Sequence, residues 1–136
     1  MANPKPVELE VEWQGDLRFS GRADGVALTL DSAAQAGPSP VQALAFGLLG
    51  CMAIDVVHIL GKGRLPLRAL RGRLRGERAA DDPHRFVKID LHFAVQGDLP
   101  PDKLERAIAL SREKYCSVWH SLRQDIALGT TFEIEP

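Results

Sequence analysis

The stretch SPVQALAFGLLGCMAIDVVHIL, residues 39–60, decides how the rest of the chain has to fold. Its start carries three helix signals: Ser39 to cap free amides, Pro40 suited to the first helical position, and Gln42 placed to reach back as a capping box. The pattern predicts a helix to about Leu60, stopped by Gly61-Lys62-Gly63. Between the ends, Leu44, Ala45, Phe46, Leu48, Leu49, Met52, Ala53, Ile54, Val56, Val57, Ile59 and Leu60 cover nearly the whole circumference. A helix apolar all round is buried all round. The sheet of one 136-residue chain covers a single face. The remaining face needs a second layer, most simply a partner subunit, so an obligate homodimer is expected.

Toward the amino end the period changes to two. Val7, Leu9, Val11 and Trp13 alternate with Glu8, Glu10 and Glu12, as in a half-buried strand. A turn at Gln14-Gly15-Asp16 leads to a second strand from Leu17. Ala23-Asp24-Gly25 turns again, since Asp-Gly readily supplies positive φ. Val26, Leu28 and Leu30 complete a three-stranded antiparallel meander over the first 31 residues, followed by a small-residue loop over 32–39.

Toward the carboxyl end, Leu67 to Arg78 reads as a long strand with Leu70 and Leu74 on one side. Arg71, Arg73 and Arg75 on the other side read as the wet face of an antiparallel sheet rather than an anion-binding stripe. After a turn at Asp81-Asp82-Pro83, Val87, Ile89, Leu91, Phe93 and Val95 point inward while Lys88, Asp90 and His92 point out. Leu99-Pro100-Pro101-Asp102 opens a second helix with Leu104, Ile108 and Leu110 as its apolar stripe. Tyr115-Cys116-Ser117 interrupts it, a third helical stretch runs to about Leu128, and Gly129 ends that stretch. Phe132 and Ile134 then make a last strand. With no internal repeat and no linker, residues 1–136 read as one α+β domain.

Seventeen basic against 18 acidic residues give a net charge of −1, which disfavours nucleic acid as a partner. The first ten residues, MANPKPVELE, have no basic region leading into an apolar one. The longest apolar run, Ala43 to Ile54, is 12 residues, too short to span a bilayer. A cytoplasmic chain with no membrane partner is expected, and its two cysteines are expected as thiols.

Few residues offer chemistry. The hydrolase elbow, the phosphate-binding loop and the dinucleotide fingerprint are all missing. Cys51 lies 11 residues after Pro40, about 16 Å along a helix axis. That is beyond the reach of the helix dipole. If Cys51 is a nucleophile, a cation from another segment must activate it, and Asp55, one turn on, would oppose its ionisation. Cys116 sits at a helix break, where the free amides of the next stretch would favour a thiolate. The plain alternative is two buried small hydrophobes. A Cys₂His₂ metal set from Cys51, His58, Cys116 and His120 is conceivable if the cysteines meet. His58 reads more readily as a packed histidine, and no metal is assigned. His84, in a turn, takes no role, and Trp119 reads as a core or pocket-wall residue.

The run GPSPVQALAFGLLGCMAIDVV (37–57) and the later KYCSV (114–118), with its cysteine 65 residues after the first, resemble the OsmC/Ohr family. The family pattern is a loop ending in x-Pro, then a long apolar helix carrying Cys after Gly or Ala, and a later Cys followed by Pro or Ser and then Val. The order of elements matches over almost the entire chain. The resemblance implies an OsmC-like α+β fold, an antiparallel sheet around a long buried central helix, in an intertwined homodimer.

Chemically, the resemblance implies thiol-dependent reduction of organic hydroperoxides. Cys51 would attack the peroxide oxygen as thiolate, release alcohol and become a sulfenic acid. Cys116 would condense with it to a disulfide, which a dithiol reductant such as a lipoyl protein opens, with no metal and no cofactor. Apolar helix faces would favour an alkyl chain. Hydroperoxide reductases of the family use an Arg in the loop before the central helix and a Glu in its first turn. The matching positions here hold Asp31 and Val41, with Gln42 where related sequences often have Glu. Arg22 or Arg18 is then the candidate cation, with Gln42 in support. These departures resemble the less characterised branch of the family, and the alternative is a non-catalytic dimer that senses redox state or binds a small apolar ligand.

Overall fold

Alternation in the amino-terminal third does produce a meander: β1 (Glu10–Trp13), β2 (Arg18–Ala23) and β3 (Val26–Asp31) form an antiparallel sheet in that order. The computed structural model describes residues 3–136, so the first two positions of the 1–10 stretch lie outside the described residues. Two compact units divide the chain, residues 1–45 and 46–136.

In the first unit, Asp24 and Gly25 both take positive φ, 47° and 83°, as the two-residue hairpin requires. Register aligns Val11 with Gly21 and Leu28, and Trp13 with Phe19 and Leu30, so these side chains share one face. The first strand starts at Glu10 rather than Val7, and the expected half-burial fails. Val7, Leu9, Val11, Trp13 and Leu28 are exposed. On this face Leu30 is half-buried, while most of its apolar neighbours are open to solvent.

The loop after β3 is organised by Asp31. Its carboxylate accepts N–H bonds from Ala33, Gln35 and Ala36 and pairs with Arg18 Nε at 3.0 Å. Those bonds, the Ala36 amide foremost, hold its pKa down to about 2 against the cost of burial. Gly37 is required there, because a Cβ would overlap the Thr29 carbonyl.

The helix α1 (Pro40–Lys62) opens as expected. Ser39 N–H donates to Gln42 Oε1 at 3.0 Å and Gln42 N–H donates to Ser39 Oγ at 3.1 Å, a complete capping box. It closes two residues later than expected. Leu65 N–H bonds back to the Leu60 carbonyl and Arg64 N–H to that of Gly61, with Arg64 at φ 54° supplying the left-handed residue. At 23 residues, α1 is long and apolar enough by length and composition to cross a membrane, which the 12-residue run had understated.

Within the second unit the core sits under one stripe of α1. Leu48, Met52, Val56 and Leu60 are fully buried at four-residue spacing, and each contributes about 1.5–3 kcal/mol by leaving water. They share a cluster with Ile89, Leu91, Phe93 and Val95 of β5 (Phe86–Gly97) and Leu104, Ala107 and Ile108 of α2 (Pro101–Leu110). Burial all round is not found in the single chain. Phe46 and Ile54, on the opposite side, are 67% and 70% exposed.

The second sheet has the order β4-β5-β6, with β4 spanning Leu67–Arg78 and β6 Ala127–Glu135. Gly72 of β4 lets the Leu49 side chain of α1 come close, 2.9 Å from where a Cβ would stand. The all-antiparallel expectation is corrected here: β4 pairs antiparallel with β5, but β6 runs parallel to it. The helical crossover between β5 and β6 returns the chain to the same end of the sheet, which imposes the parallel sense. The third helix, α3 (Ser117–His120), is also far shorter than the expected run to Leu128. Gly129 lies inside β6, opposite Asp90, where its missing Cβ leaves room for that carboxylate. His92 does face outward, hydrogen-bonded to Thr131 Oγ1 at 2.7 Å and Glu133 Oε1 at 3.1 Å.

Candidate active site

Two thiols from distant parts of the chain meet beside one carboxylate. The sulfurs of Cys51 and Cys116 and a carboxylate oxygen of Asp55 all lie within 4.8 Å of one another. Both cysteines are free thiols. Cys51 and Asp55 are one turn apart on α1, so helix geometry alone puts them on one face.

Cys116 is placed by a local departure from α geometry. After α2 the backbone widens into a single π turn, Ser111–Tyr115, closed by a bond from Cys116 N–H to the Ser111 carbonyl at 2.8 Å. Such turns recur at functional sites. Cys116 then leaves the helix at φ −72°, ψ 99°, and its sulfur accepts the Trp119 N–H at 3.3 Å, capping α3. The buried Ser111 hydroxyl donates to Asp55 Oδ2 at 2.7 Å, tying the π turn to α1.

Burial separates the two thiols. Cys51 is half-buried and Cys116 is fully buried. Loss of water, reinforced by the neighbouring Cys51 and only partly offset by the Trp119 amide, pushes the Cys116 thiol up to about 11. The expectation that helix-end amides would favour a Cys116 thiolate is therefore corrected. The amide contact is there, and desolvation outweighs it.

Other expected site residues sit as follows. Gln42 is engaged in the capping box with Ser39. Arg22 of β2 is exposed, 3.6 Å from Glu10 Oε1, and Arg18 holds Asp31. The conceivable Cys₂His₂ set does not assemble, because the donor that joins the two sulfurs is Asp55, not His58 or His120. His58 instead lines a cavity of about 390 Å³ with Asp55, Ile59, Lys62, Leu110 and Tyr115. Sequence reasoning missed Ser111. Asp55 had one legible signal, its four-residue spacing from Cys51, and was read only as opposing ionisation.

Comparison with known proteins agrees with this architecture. The family model described as OsmC-like protein matches residues 31–131. Protein YhfA of Escherichia coli strain K12 is 37% identical over 131 residues, covering 94% of this chain and 98% of that protein. A hypothetical protein from Aquifex aeolicus VF5 superposes with a TM-score of 0.89 at 26% identity, over 97% of this chain and 98% of its own. The organic hydroperoxide resistance protein OhrB of Bacillus subtilis superposes with a TM-score of 0.61 over 96% of this chain and 98% of its own. At 17% identity that last likeness speaks for the fold alone.

Proposed function

The chain belongs to the OsmC-like protein family, and we propose that it is a thiol-dependent peroxidase that reduces organic hydroperoxides through Cys51 and Cys116. The observation that carries this reading is the convergence of two free thiols of unequal exposure within 4.8 Å. Cys51, the more accessible sulfur, attacks the outer peroxide oxygen. The O–O bond breaks, alcohol leaves with a proton, and Cys51 becomes a sulfenic acid. Cys116 then forms the S–S bond as water departs. A dithiol reductant, such as a lipoyl group, takes up the oxidation and restores both thiols. The cycle needs no cofactor or metal.

The working unit in this reading is an intertwined homodimer, in which residues 1–136 act as a single OsmC-like domain. Its support is the apolar surface left open on the chain: Val11, Trp13, Phe19 and Leu28 on the meander, and Phe46, Ile54 and Val57 on α1. Contiguous exposed apolar side chains on either element mark an interaction surface. Arg22 is the proposed cation for Cys51, and Gln42 supports it by fixing the start of α1. The setting is cytoplasmic, where free thiols persist.

A second reading has one observation in its favour. Asp31 occupies the position where the resemblance places an activating Arg, and it is buried and committed to its loop. On that reading the dimer senses redox state or holds a small apolar ligand without turnover. Steady-state assay with an alkyl hydroperoxide and a dithiol separates the two. One alcohol formed per dithiol consumed, abolished in Cys51→Ser, supports the peroxidase. Two thiols retained with no alcohol formed rejects it. Cys116→Ser should leave a sulfenic acid that a carbon nucleophile traps.

A further inference from the structure

We propose that Asp55 is the proton relay for Cys116, taking the thiol proton as the Cys51–Cys116 disulfide forms and delivering it to the leaving group. This deepens the peroxidase reading and takes its physiological setting from it. In the step, the S–S bond forms as the S–O bond of the Cys51 sulfenic acid breaks. The Cys116 sulfur is oxidised and the sulfenic sulfur reduced. The proton of Cys116 passes to the Asp55 carboxylate and then to the departing hydroxide, so water leaves and Asp55 is restored.

Three observations carry it. Cys116 is sealed from solvent, so solution hydroxide reaches its proton only during transient local opening, a slow route beside a resident base. Asp55 lies within 4.8 Å of both sulfurs, and the Ser111 hydroxyl bond at 2.7 Å engages Oδ2. A carboxylate has lone pairs beyond that bond for a second proton. Finally, Asp55 lines the 390 Å³ cavity, so the carboxylate that would hold the proton borders open space. Burial also holds the Cys116 thiol near 11, so an unassisted thiolate is scarce at neutral pH. The other titratable groups facing this region are Cys51, His58 and Lys62 from α1 and Tyr115 from the π turn, with Lys114 stacked over the Tyr115 ring at 5.2 Å.

The relay can be read without peroxide. Ellman's reagent attacks the more accessible Cys51 and releases one thionitrobenzoate. Cys116 then displaces the second from the mixed disulfide, in a slower first-order phase. Asp55→Asn, which keeps shape and a hydrogen bond for Ser111, should slow that second phase by roughly tenfold to a hundredfold without slowing the first. Its second-phase rate should climb about tenfold per pH unit above neutrality, steeper than the wild-type profile, because only solution hydroxide then serves as base. Asp55→Glu should recover part of the rate, and the steeper slope should persist in a His58→Gln background. A second phase in Asp55→Asn within about twofold of wild type overturns the relay. So does equal slowing at every pH with an unchanged slope, or a wild-type chain that releases only one equivalent. A chain that passes this test yet makes no alcohol from a hydroperoxide keeps the relay and loses the peroxidase reading.

Discussion

Ser111→Ala removes one hydroxyl and leaves the backbone free to keep the π turn, because the Cys116 N–H bonds to the Ser111 carbonyl rather than its side chain. The hydroxyl is fully buried and bonded at 2.7 Å to Asp55 Oδ2, bridging positions 56 residues apart. A hydrogen bond to a charged group is worth about 1.5–3 kcal/mol. Its loss should lower the ratio of folded to unfolded chain by roughly tenfold to over a hundredfold. With an unfolding entropy of about 2.1 cal/mol/K per residue, a chain of 136 residues loses about 3.5 °C of melting temperature per kcal/mol, so Tm should fall by roughly 5–10 °C. Circular dichroism melts at one fixed protein concentration and pH 7 measure this, since an oligomer's Tm depends on concentration. A double-mutant cycle with Asp55→Ala isolates the pair, and the double variant should lose at least about 1 kcal/mol less than the sum of the singles. A Ser111→Ala chain within 0.5 kcal/mol of wild type (about the scatter of a surface substitution), or strictly additive singles, would refute the tie between α1 and the π turn.

Further outcomes follow from the same geometry. Iodoacetamide at pH 8 should alkylate Cys51 alone, as read by peptide mass mapping, because Cys116 is sealed and its thiol is raised to about 11; comparable labelling of both would contradict that burial. Asp31, held down to about 2 from 3.8, stabilises the fold above its unfolded value, and that contribution should be lost as pH falls through the window between them; Asp31→Asn should flatten the acid limb of a stability-pH curve. Gly37→Ala forces a Cβ against the Thr29 carbonyl and should cost about 1–3 kcal/mol in urea unfolding. Ile54→Glu, at an exposed position of α1, should abolish the proposed dimer in sedimentation velocity and lower the Tm with it; an unchanged dimer would place the contact elsewhere.

How legible the chain was depended on the range of the interaction. Local signals read true: Ser39, Pro40 and Gln42 form the capping box they spell, and Ile89, Leu91, Phe93 and Val95 alternate into the core as their spacing says. Gly129 misled, because a glycine after an apolar stretch looks like a helix stop, whereas here it makes room for Asp90 on the neighbouring strand. That contact depends on a parallel pairing no local pattern announces. The π turn left no signature in SREKY, and the Ser111–Asp55 bond is a tertiary fact. The Cys51–Cys116 meeting came from family resemblance, since the residues alone favoured two buried small hydrophobes. The exposed side of α1 was foreseen as apolar, but the single chain supplies no cover for it.

The most direct test of the account is the mass of the reduced chain after one equivalent of an alkyl hydroperoxide. The predicted product has lost two hydrogens, with a single tryptic cross-link joining the Cys51 and Cys116 peptides of one chain. An unchanged mass, added oxygen on Cys51 with Cys116 still alkylatable after unfolding, or a cross-link only between chains would contradict it.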